Sequence, residues 1–297
     1  MKKALVLSLM AIGITTLAHA QATRTWVSGV GNDADPCSRT APCKTFAGAI
    51  SKTASPGIIN CLDPGGFGAV TITKDITIDC TGTLGSVLSS GVQGIIVNAT
   101  TTQNVVLRAI DINGAGTTLG TNGVNIIGAK SVSMYGVNVA NFSGPNVVMT
   151  NSANLINLFV SGCQFLNSGQ GIHLNNSGAG IAKAQGENTT IQGNGIGLHL
   201  QGPNASTVMT RCNISHATTA NVQADAATNF ATFESCQIST APTGVNMQAG
   251  STGRFSNCMI TGNTTNGLLG TSICHGNNVI AGNIGGTTCT TPNAGLQ

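Results

Sequence analysis

Short runs in which apolar and polar residues alternate recur along the chain, for example around Ile172 and Leu174 and around Leu198 and Leu200. A period of two predicts β-strands, because successive side chains of a strand point to opposite faces. A three-residue motif ending in an apolar residue recurs at 163–165, 189–191, 212–214, 236–238 and 258–260, with intervals of 26, 23, 24 and 22 residues. Further copies lie at 110–112, 137–139 and 278–280. Such a period predicts a solenoid, in which each repeat packs only against its neighbours.

The content of each repeat indicates the type of solenoid. Asn, Gly, Ser and Thr separate the alternating runs, and these residues favour turns. The sequence has neither the regular leucines of leucine-rich repeats nor the long helical patterns of ankyrin or tetratricopeptide arrays. We therefore predict an all-β fold, a right-handed parallel β-helix solenoid with a short N-terminal capping helix.

The composition agrees with a narrow, strand-built interior. Charged residues make up 7% of the chain and aromatic residues 3%, while 40 residues are glycine. Low charge is also found in disordered and membrane proteins. The 41% of hydrophobic residues are placed periodically, which argues against disorder. Beyond the first twenty residues no apolar run is long enough for a membrane span.

The first twenty residues have the pattern of a bacterial Sec-type signal peptide. Lys2 and Lys3 precede an apolar stretch, and Ala18-His19-Ala20 forms a cleavage site. We expect a secreted or periplasmic protein without membrane insertion after signal removal. Loss of the two lysines would lower the formal net charge from +3 to +1. Without a basic patch, nucleic acid is not an expected partner.

The ten cysteines fall into two groups, and an exported protein meets an oxidising environment. Six lie near the ends, and their short separations suggest the pairs Cys37–Cys43, Cys61–Cys80 and Cys274–Cys289. The other four occupy the same place in different repeats and are expected to be buried free thiols: Cys163, Cys212, Cys236 and Cys258. They lack a Cys-x-x-Cys pair, so no metal site is predicted.

The segment before the first repeat contains Gly31-Asn32-Asp33 and then Pro42-Cys43-Lys44-Thr45-Phe46. Phe46, Ala49 and Ile50 have the spacing of a short helix with one apolar face. This opening resembles that of secreted bacterial right-handed parallel β-helix proteins of the pectate-lyase-like superfamily. The predicted organisation is a signal peptide at 1–20, an N-terminal strand and capping helix at 21–57, and a right-handed β-helix at 58–297 with a disulfide-stapled C-terminal end.

The resemblance implies fold and export, whereas the catalytic patterns of the superfamily are missing. From Thr81 onward the only acidic residues are Asp111, Glu187, Asp225 and Glu234. They are scattered, whereas lyases need clustered carboxylates for calcium and glycosidases need a carboxylate pair. The only tyrosine, Tyr135, lacks the acid and histidine of the epimerase motif. No catalytic residue and no cofactor is therefore predicted, and fold alone does not supply a function.

One polar strip attracts attention. In the strand after each motif two aliphatic residues point inward, so the residue between them points outward. The strip comprises His173, Asn175, His199, Gln201, Gln223, Asp225 and Asn246, with the two histidines in adjacent repeats. Its donors and acceptors match the hydroxyl groups of a glycan. Alternatively, these are ordinary polar residues of solvated strands that bond to one another. With imidazoles that titrate near pH 6.5, an acidic glycan would bind more tightly at pH 5.5.

Three functions remain open. The first is noncatalytic binding or organisation of polysaccharide at the cell envelope. The second is a polysaccharide lyase or epimerase acting on a uronate-containing glycan, with His173 or His199 as the base and Lys183 or Arg211 neutralising the uronate. Lys183 and Glu187 flank the repeat at Thr189, in the longest inserted loop, and are expected at the edge of the strip. The third is a structural or adhesive spacer. Neither the glycan nor the oligomeric state follows from the sequence.

Overall fold

The computed structural model describes residues 21–290, apart from the side chain of Ala249. The predicted signal peptide at 1–20 and residues 291–297 of the predicted β-helix lie outside the described residues. The described part contains 28 strands and one helix. The predicted all-β parallel solenoid with one short capping helix is confirmed. That helix is far too short to cross a membrane.

The strands lie on three faces of the solenoid, named here face 1, face 2 and face 3 in the order in which each turn visits them. Face 1 consists of Val70–Ile72, Ile95–Asn98, Val124–Gly128, Pro145–Met149, Gln170–Leu174, Ile196–Leu200, Ala220–Ala224 and the first parts of Thr243–Ser256 and Asn266–His275. Face 2 consists of Ala22–Val27, Thr53–Cys61, Ile76–Asp79, Asn104–Arg108, Ser131–Tyr135, Leu155–Ser161, Ile181–Glu187, Ala205–Thr210, Phe230–Glu234 and the second parts of those two long strands.

Face 3 is a separate sheet of ten short strands. They are Gly65–Gly66, Gly85–Leu88, Ile110–Asn113, Asn138–Ala140, Gln164–Leu166, Thr190–Gln192, Asn213–Ser215, Gln237–Ser239, Met259–Thr261 and Val279–Ala281. The two long strands Thr243–Ser256 and Asn266–His275 continue from face 1 into face 2, so these two faces form one sheet of 18 strands. Each strand pairs in parallel with its equivalent in the next turn, as Gln170–Leu174 does with Ile196–Leu200.

The core consists of columns of inward side chains in register. The middle residues of the recurring motifs form an outer column on face 3, which is polar except for Met259 and Val279, while the third residue points inward. The inward column contains Val139, Phe165, Ile191, Ile214, Ile238 and Ile260, which are in register and fully buried. Burial of each such side chain contributes about 1.5–3 kcal/mol before conformational entropy is counted. The sequence period is therefore the period of this column.

The corner between face 3 and face 1 turns the chain sharply through one residue with positive φ in each turn. From the fourth strand of face 3 onward these residues are Asn141, Asn167, Gly193, His216, Thr240, Gly262 and Gly282. Gly and Asn adopt the left-handed region at little cost. Thr240, with φ of 60°, is the one β-branched member of this set. Its side chain makes this corner a strained position.

The helix Phe46–Lys52 takes the place of a face-1 strand before the first complete turn. The side chain of Thr45 accepts a hydrogen bond from the backbone N–H of Gly48 at 2.9 Å, which caps the first turn of the helix. Phe46 and Ala49 are buried, and the Phe46 ring lies 5.1 Å from that of Phe67. The helix therefore covers the first turn of the core, as a solenoid terminus requires.

The cysteines separate into end disulfides and an interior ladder. Disulfide bonds join Cys37 to Cys43, Cys61 to Cys80 and Cys274 to Cys289. The four interior cysteines are free and buried. Their position at the corner between face 2 and face 3 explains the residue types found there. The backbone N–H of one turn donates to the side-chain heteroatom of the next: Cys163 to Thr189 Oγ1, Cys212 to Cys236 Sγ and Cys258 to Asn278 Oδ1.

Candidate functional site

The strands of face 1 place the predicted strip in one line. Val148, His173, His199, Gln223 and Asn246 are register partners in successive turns. Parallel in-register pairing brings equivalent side chains into contact. The imidazole rings of His173 and His199 consequently stack, with centroids 4.7 Å apart and an angle of 6° between the ring planes.

Both imidazoles lie on the outer side of face 1 but are largely covered. On the adjacent strand positions Ile172 and Leu174 are fully buried in the core, so His173 points away from it. Nevertheless His173 is only 7% exposed and His199 only 5% exposed. Outward direction, which the alternation predicts, is thus not the same as solvent exposure.

A hydrogen-bond network explains how these polar rings are accommodated. His173 Nε2 lies 2.8 Å from Gln201 Oε1, and His199 Nε2 lies 2.8 Å from Asp225 Oδ2. The amide of Gln223 donates to the second oxygen of Asp225 at 3.0 Å. His199 Nδ1 lies 3.1 Å from Gln170 Oε1. These contacts fix the ring orientations. A neutral His199 has one ring N–H and therefore donates to only one of its two oxygen partners.

The environment of His173 opposes protonation. Burial in the strip lowers the pKa of His173 from 6.5 to about 4, and the neighbouring His199 acts in the same direction. The hydrogen bond that Gln201 Oε1 accepts from His173 and the charge of Asp225 oppose this effect only partly. His173 therefore remains neutral at pH 5.5. The expectation that its titration near pH 6.5 would strengthen binding of an acidic glycan is wrong for this residue.

The remaining members of the strip form its outer rim. Asn175 and Gln201 are exposed, while Gln223, Asp225 and Asn246 are half-buried. Asn246 Oδ1 is a buried acceptor that has no hydrogen-bond partner within residues 21–290. The structure thus brings together a buried imidazole pair and a rim of amide groups with one carboxylate.

Two cations proposed for a uronate site lie away from this strip. Lys183 and Glu187 belong to the strand Ile181–Glu187 of face 2, not to a loop at the edge of the strip, so that prediction is wrong. Arg211 lies at the corner between face 2 and face 3, where its Nε donates to Asn188 Oδ1 at 3.0 Å. Neither cation belongs to face 1, which carries the histidines.

The sequence pattern does not identify Gln170 as the partner of His199 Nδ1. By alternation Gln170 shares the inward side of Ile172 and Leu174. It begins the strand, however, and from the corner its side chain reaches the imidazole of the next turn. The register of Gln170 with Ile196 is the one signal that places it near His199.

Among the described residues no group of three or more His, Cys, Asp or Glu side chains is arranged to hold a metal ion.

A family model described as the right handed beta helix region matches residues 93–284. The chain belongs to the right-handed β-helix family. No curated protein matches it in sequence. A solved pectate lyase has 14% sequence identity and a TM-score of 0.57, over 92% of this chain and 78% of the lyase.

Two further solved structures match this chain at lower similarity. The ORF18 protein of Geobacillus virus E2 has 12% identity and a TM-score of 0.49, over 92% of this chain and 61% of that one. A tailspike protein of the Acinetobacter baumannii bacteriophage Fri1, described as a capsular polysaccharide depolymerase, has 12% identity and a TM-score of 0.48, over 80% of this chain and 51% of the tailspike. At these identities the likeness to the pectate lyase shows the fold alone.

Proposed function

We propose that this β-helix protein is exported and binds polysaccharide at the cell envelope along face 1, without catalysing a reaction. The observation that carries the proposal is the hydrogen-bonded line of His173, His199 and their partners. Two observations support it more generally. The fold is that of a pectate lyase, whose name gives a polysaccharide as its substrate. Three disulfides suit an oxidising compartment.

The network makes face 1 a preorganised surface. His173 is held by Gln201, and His199 is held between Gln170 and Asp225. Side chains fixed before binding lose little conformational entropy when a ligand arrives. The rim thereby presents amide and carboxylate groups at fixed positions, on strands that pair in register with the imidazole rings stacked 4.7 Å apart. A chain of sugar hydroxyl groups needs such a regular series of donors and acceptors.

The same geometry disfavours catalysis. Asp225 is the carboxylate of the strip, and it is engaged by His199 and Gln223. A base works best when its pKa lies near the working pH, whereas the pKa of His173 is lowered to about 4. One observation favours the lyase or epimerase alternative: His173 Nε2 is bonded to Gln201, and no described residue bonds to Nδ1, which leaves a neutral acceptor nitrogen.

Binding to a panel of neutral and acidic polysaccharides, measured by calorimetry, tests the proposal. The variant Gln201→Ala/Gln223→Ala removes two rim amides and should weaken binding at least about tenfold, because two hydrogen bonds are lost. The matched control is Gln164→Ala/Gln237→Ala, which removes two exposed amides from face 3 and should bind as the unmodified protein does. Equal loss in both variants would contradict a face-1 site.

The products of the same incubations separate the alternatives. Unsaturated or epimerised sugar units would show an enzyme and contradict the noncatalytic proposal. If no polysaccharide binds, the third function, a structural or adhesive spacer, is left.

A further inference from the structure

Exposed aromatic rings in this chain are confined to face 2. Six of the eight phenylalanines are fully buried in the core. The other two, Phe159 and Phe230, lie on face-2 strands, as do the single tyrosine, Tyr135, and the single tryptophan, Trp26. All four are at least partly exposed, and Phe230 is 44% exposed. A solvated strand does not need aromatic residues, so their restriction to one face indicates a contact surface.

The rings of Phe159 and Tyr135 form a braced pair. Tyr135 lies diagonally from Phe159 in the preceding turn, with ring centroids 5.6 Å apart and an angle of 53° between the planes. The guanidinium carbon of Arg108, the register partner of Tyr135, lies 4.5 Å from the centroid of the tyrosine ring. A cation over one aromatic face and a tilted ring at its edge hold this pair in place.

Phe159 lines an open cavity of about 240 Å³ on face 2, which also contains a lysine. Asn157, Lys183 and Ser206 are register partners in three successive turns along one side. Phe159, Gln185 and Val208 are register partners along the other. The volume lies just below the range of about 300–1,000 Å³ typical of pockets for drug-sized ligands, so it suits a single sugar ring.

Lys183 provides an unpaired positive charge in this cavity. Its side chain is exposed and makes no hydrogen bond or ion pair with any residue in the range 21–290. Glu187, on the same strand, accepts a hydrogen bond from Ser161 at 3.0 Å and lies 3.7 Å from Arg211 Nη2. Four residues of strand separate the two side chains by about 13 Å. An ammonium beside amide and hydroxyl groups is suited to a carboxylate that carries hydroxyl neighbours.

We infer that the cavity around Lys183 and Phe159 on face 2 binds an acidic sugar unit, a uronate residue of a polysaccharide. The carboxylate pairs with Lys183, the amides of Asn157 and Gln185 bind hydroxyl groups, and the apolar C–H face of the sugar packs on Phe159. This inference extends the proposed polysaccharide binding to an acidic substrate class. It places the recognition of charge on a face other than the one that carries the histidines.

Calorimetric titration with short oligomers of galacturonate, glucuronate and mannuronate, each beside its neutral counterpart, tests the inference. Lys183→Gln should weaken binding of the acidic oligomer about tenfold, through loss of a charge-assisted hydrogen bond, and leave the neutral oligomer unaffected. Lys130→Gln, which removes an exposed lysine that does not line the cavity, should leave both affinities unchanged. Binding of the acidic oligomers to the unmodified protein should also weaken at high salt.

Two outcomes overturn the inference: none of the three acidic oligomers binds, or they bind Lys183→Gln as tightly as the unmodified protein. The face-1 variant Gln201→Ala/Gln223→Ala separates this result from the proposed function. If binding of the acidic oligomer is lost in that variant and retained in Lys183→Gln, the face-1 proposal stands and the face-2 site is wrong. The reverse pattern supports the face-2 site and contradicts the face-1 proposal. Because Lys183 is exposed, its substitution should leave the fold intact.

Discussion

The imidazole rings of His173 and His199 stack in adjacent turns with centroids 4.7 Å apart, yet only one of them contacts a carboxylate. His199 Nε2 lies 2.8 Å from Asp225 Oδ2, whereas His173 Nε2 faces the neutral amide oxygen of Gln201. Two equivalent positions of the repeat thus have different electrostatic environments. The strip on face 1 is therefore a fixed polar assembly, in which the strand register sets the contacts and the rim residues set the charge.

The low pKa of His173 predicts acid destabilisation. Its pKa falls from 6.5 to about 4 in the folded protein, so the unfolded chain binds the proton more tightly. The free energy of unfolding is then unaffected above pH 6.5 and decreases as the pH falls towards 4, by about 3 kcal/mol in total. In His173→Gln this part of the pH dependence should disappear. Urea unfolding measured from pH 7 to pH 4 checks the slope.

His275→Gln is the matched control for this measurement, because His275 is exposed at the end of a face-2 strand. It should keep the slope of the unmodified protein. Identical slopes in His173→Gln and in the unmodified protein would show that His173 titrates normally.

The interior ladder of cysteines predicts that two substitutions of similar volume lower the free energy of unfolding by different amounts. Cys236 Sγ accepts the backbone N–H of Cys212 and lies 3.2 Å from the carbonyl oxygen of Met209. Cys236→Thr keeps an acceptor, as Thr189 does at the equivalent position. Cys236→Val leaves the buried N–H of Cys212 unpaired, which should lower the free energy of unfolding by about 1–3 kcal/mol more. Equal stabilities of the two variants would contradict this role.

The thiol state of the ladder is a separate prediction. The sulfurs of Cys212 and Cys258, together with burial, raise the pKa of Cys236, and burial raises that of Cys163. The hydrogen bond with Cys236 lowers the pKa of Cys258 to about 7. All four sulfurs are nevertheless buried, and this lack of access keeps them unreactive in the folded protein. The protein unfolded without reductant should show four reactive thiols. The folded protein should react slowly with a thiol reagent. Finding two or fewer thiols after unfolding would mean that ladder cysteines pair.

The predictability of the fold and site from sequence follows from particular residues. Ile172 and Leu174 mark an inward pair, and the 26-residue repeat aligns them with Leu198 and Leu200, so the contact between His173 and His199 is predictable. Burial of the rings is not predictable, because the covering side chains come from corners and from the next turn.

The strand that carries Lys183 is not predictable from the sequence for a different reason. Its inward side chains are Ala182 and Ala184, followed by Gly186, so the apolar alternation is weak. The side chain of Met209 in the next turn fills the space beside Gly186. A Cβ atom added at Gly186 would lie only 2.4 Å from Met209 Sδ. A single repeat therefore does not contain the information that defines this strand.

The strain at the Thr240 corner predicts a stabilising substitution. A residue other than Gly in the left-handed region costs about 1–2 kcal/mol, and Asn bears this cost most easily among the other residues. Thr240→Asn, which copies Asn167 at the same corner, should raise the free energy of unfolding by about 1 kcal/mol. Thr218→Asn is the control, because Thr218 is exposed and does not have positive φ. If Thr218→Asn raises the free energy of unfolding by the same amount, the positive φ of Thr240 is not the cause of the gain.

Amide hydrogen exchange during polysaccharide binding tests the central claim most directly. With a polysaccharide that binds, exchange should slow along face 1 at Gln170–Leu174, Ile196–Leu200 and Ala220–Ala224, which carry the strip. An acidic polysaccharide should also slow exchange at Ile181–Glu187 on face 2, if the lysine cavity is occupied. Unchanged exchange at the three face-1 strands, with protection confined to face 3 or to the solenoid ends, would contradict a binding site on face 1.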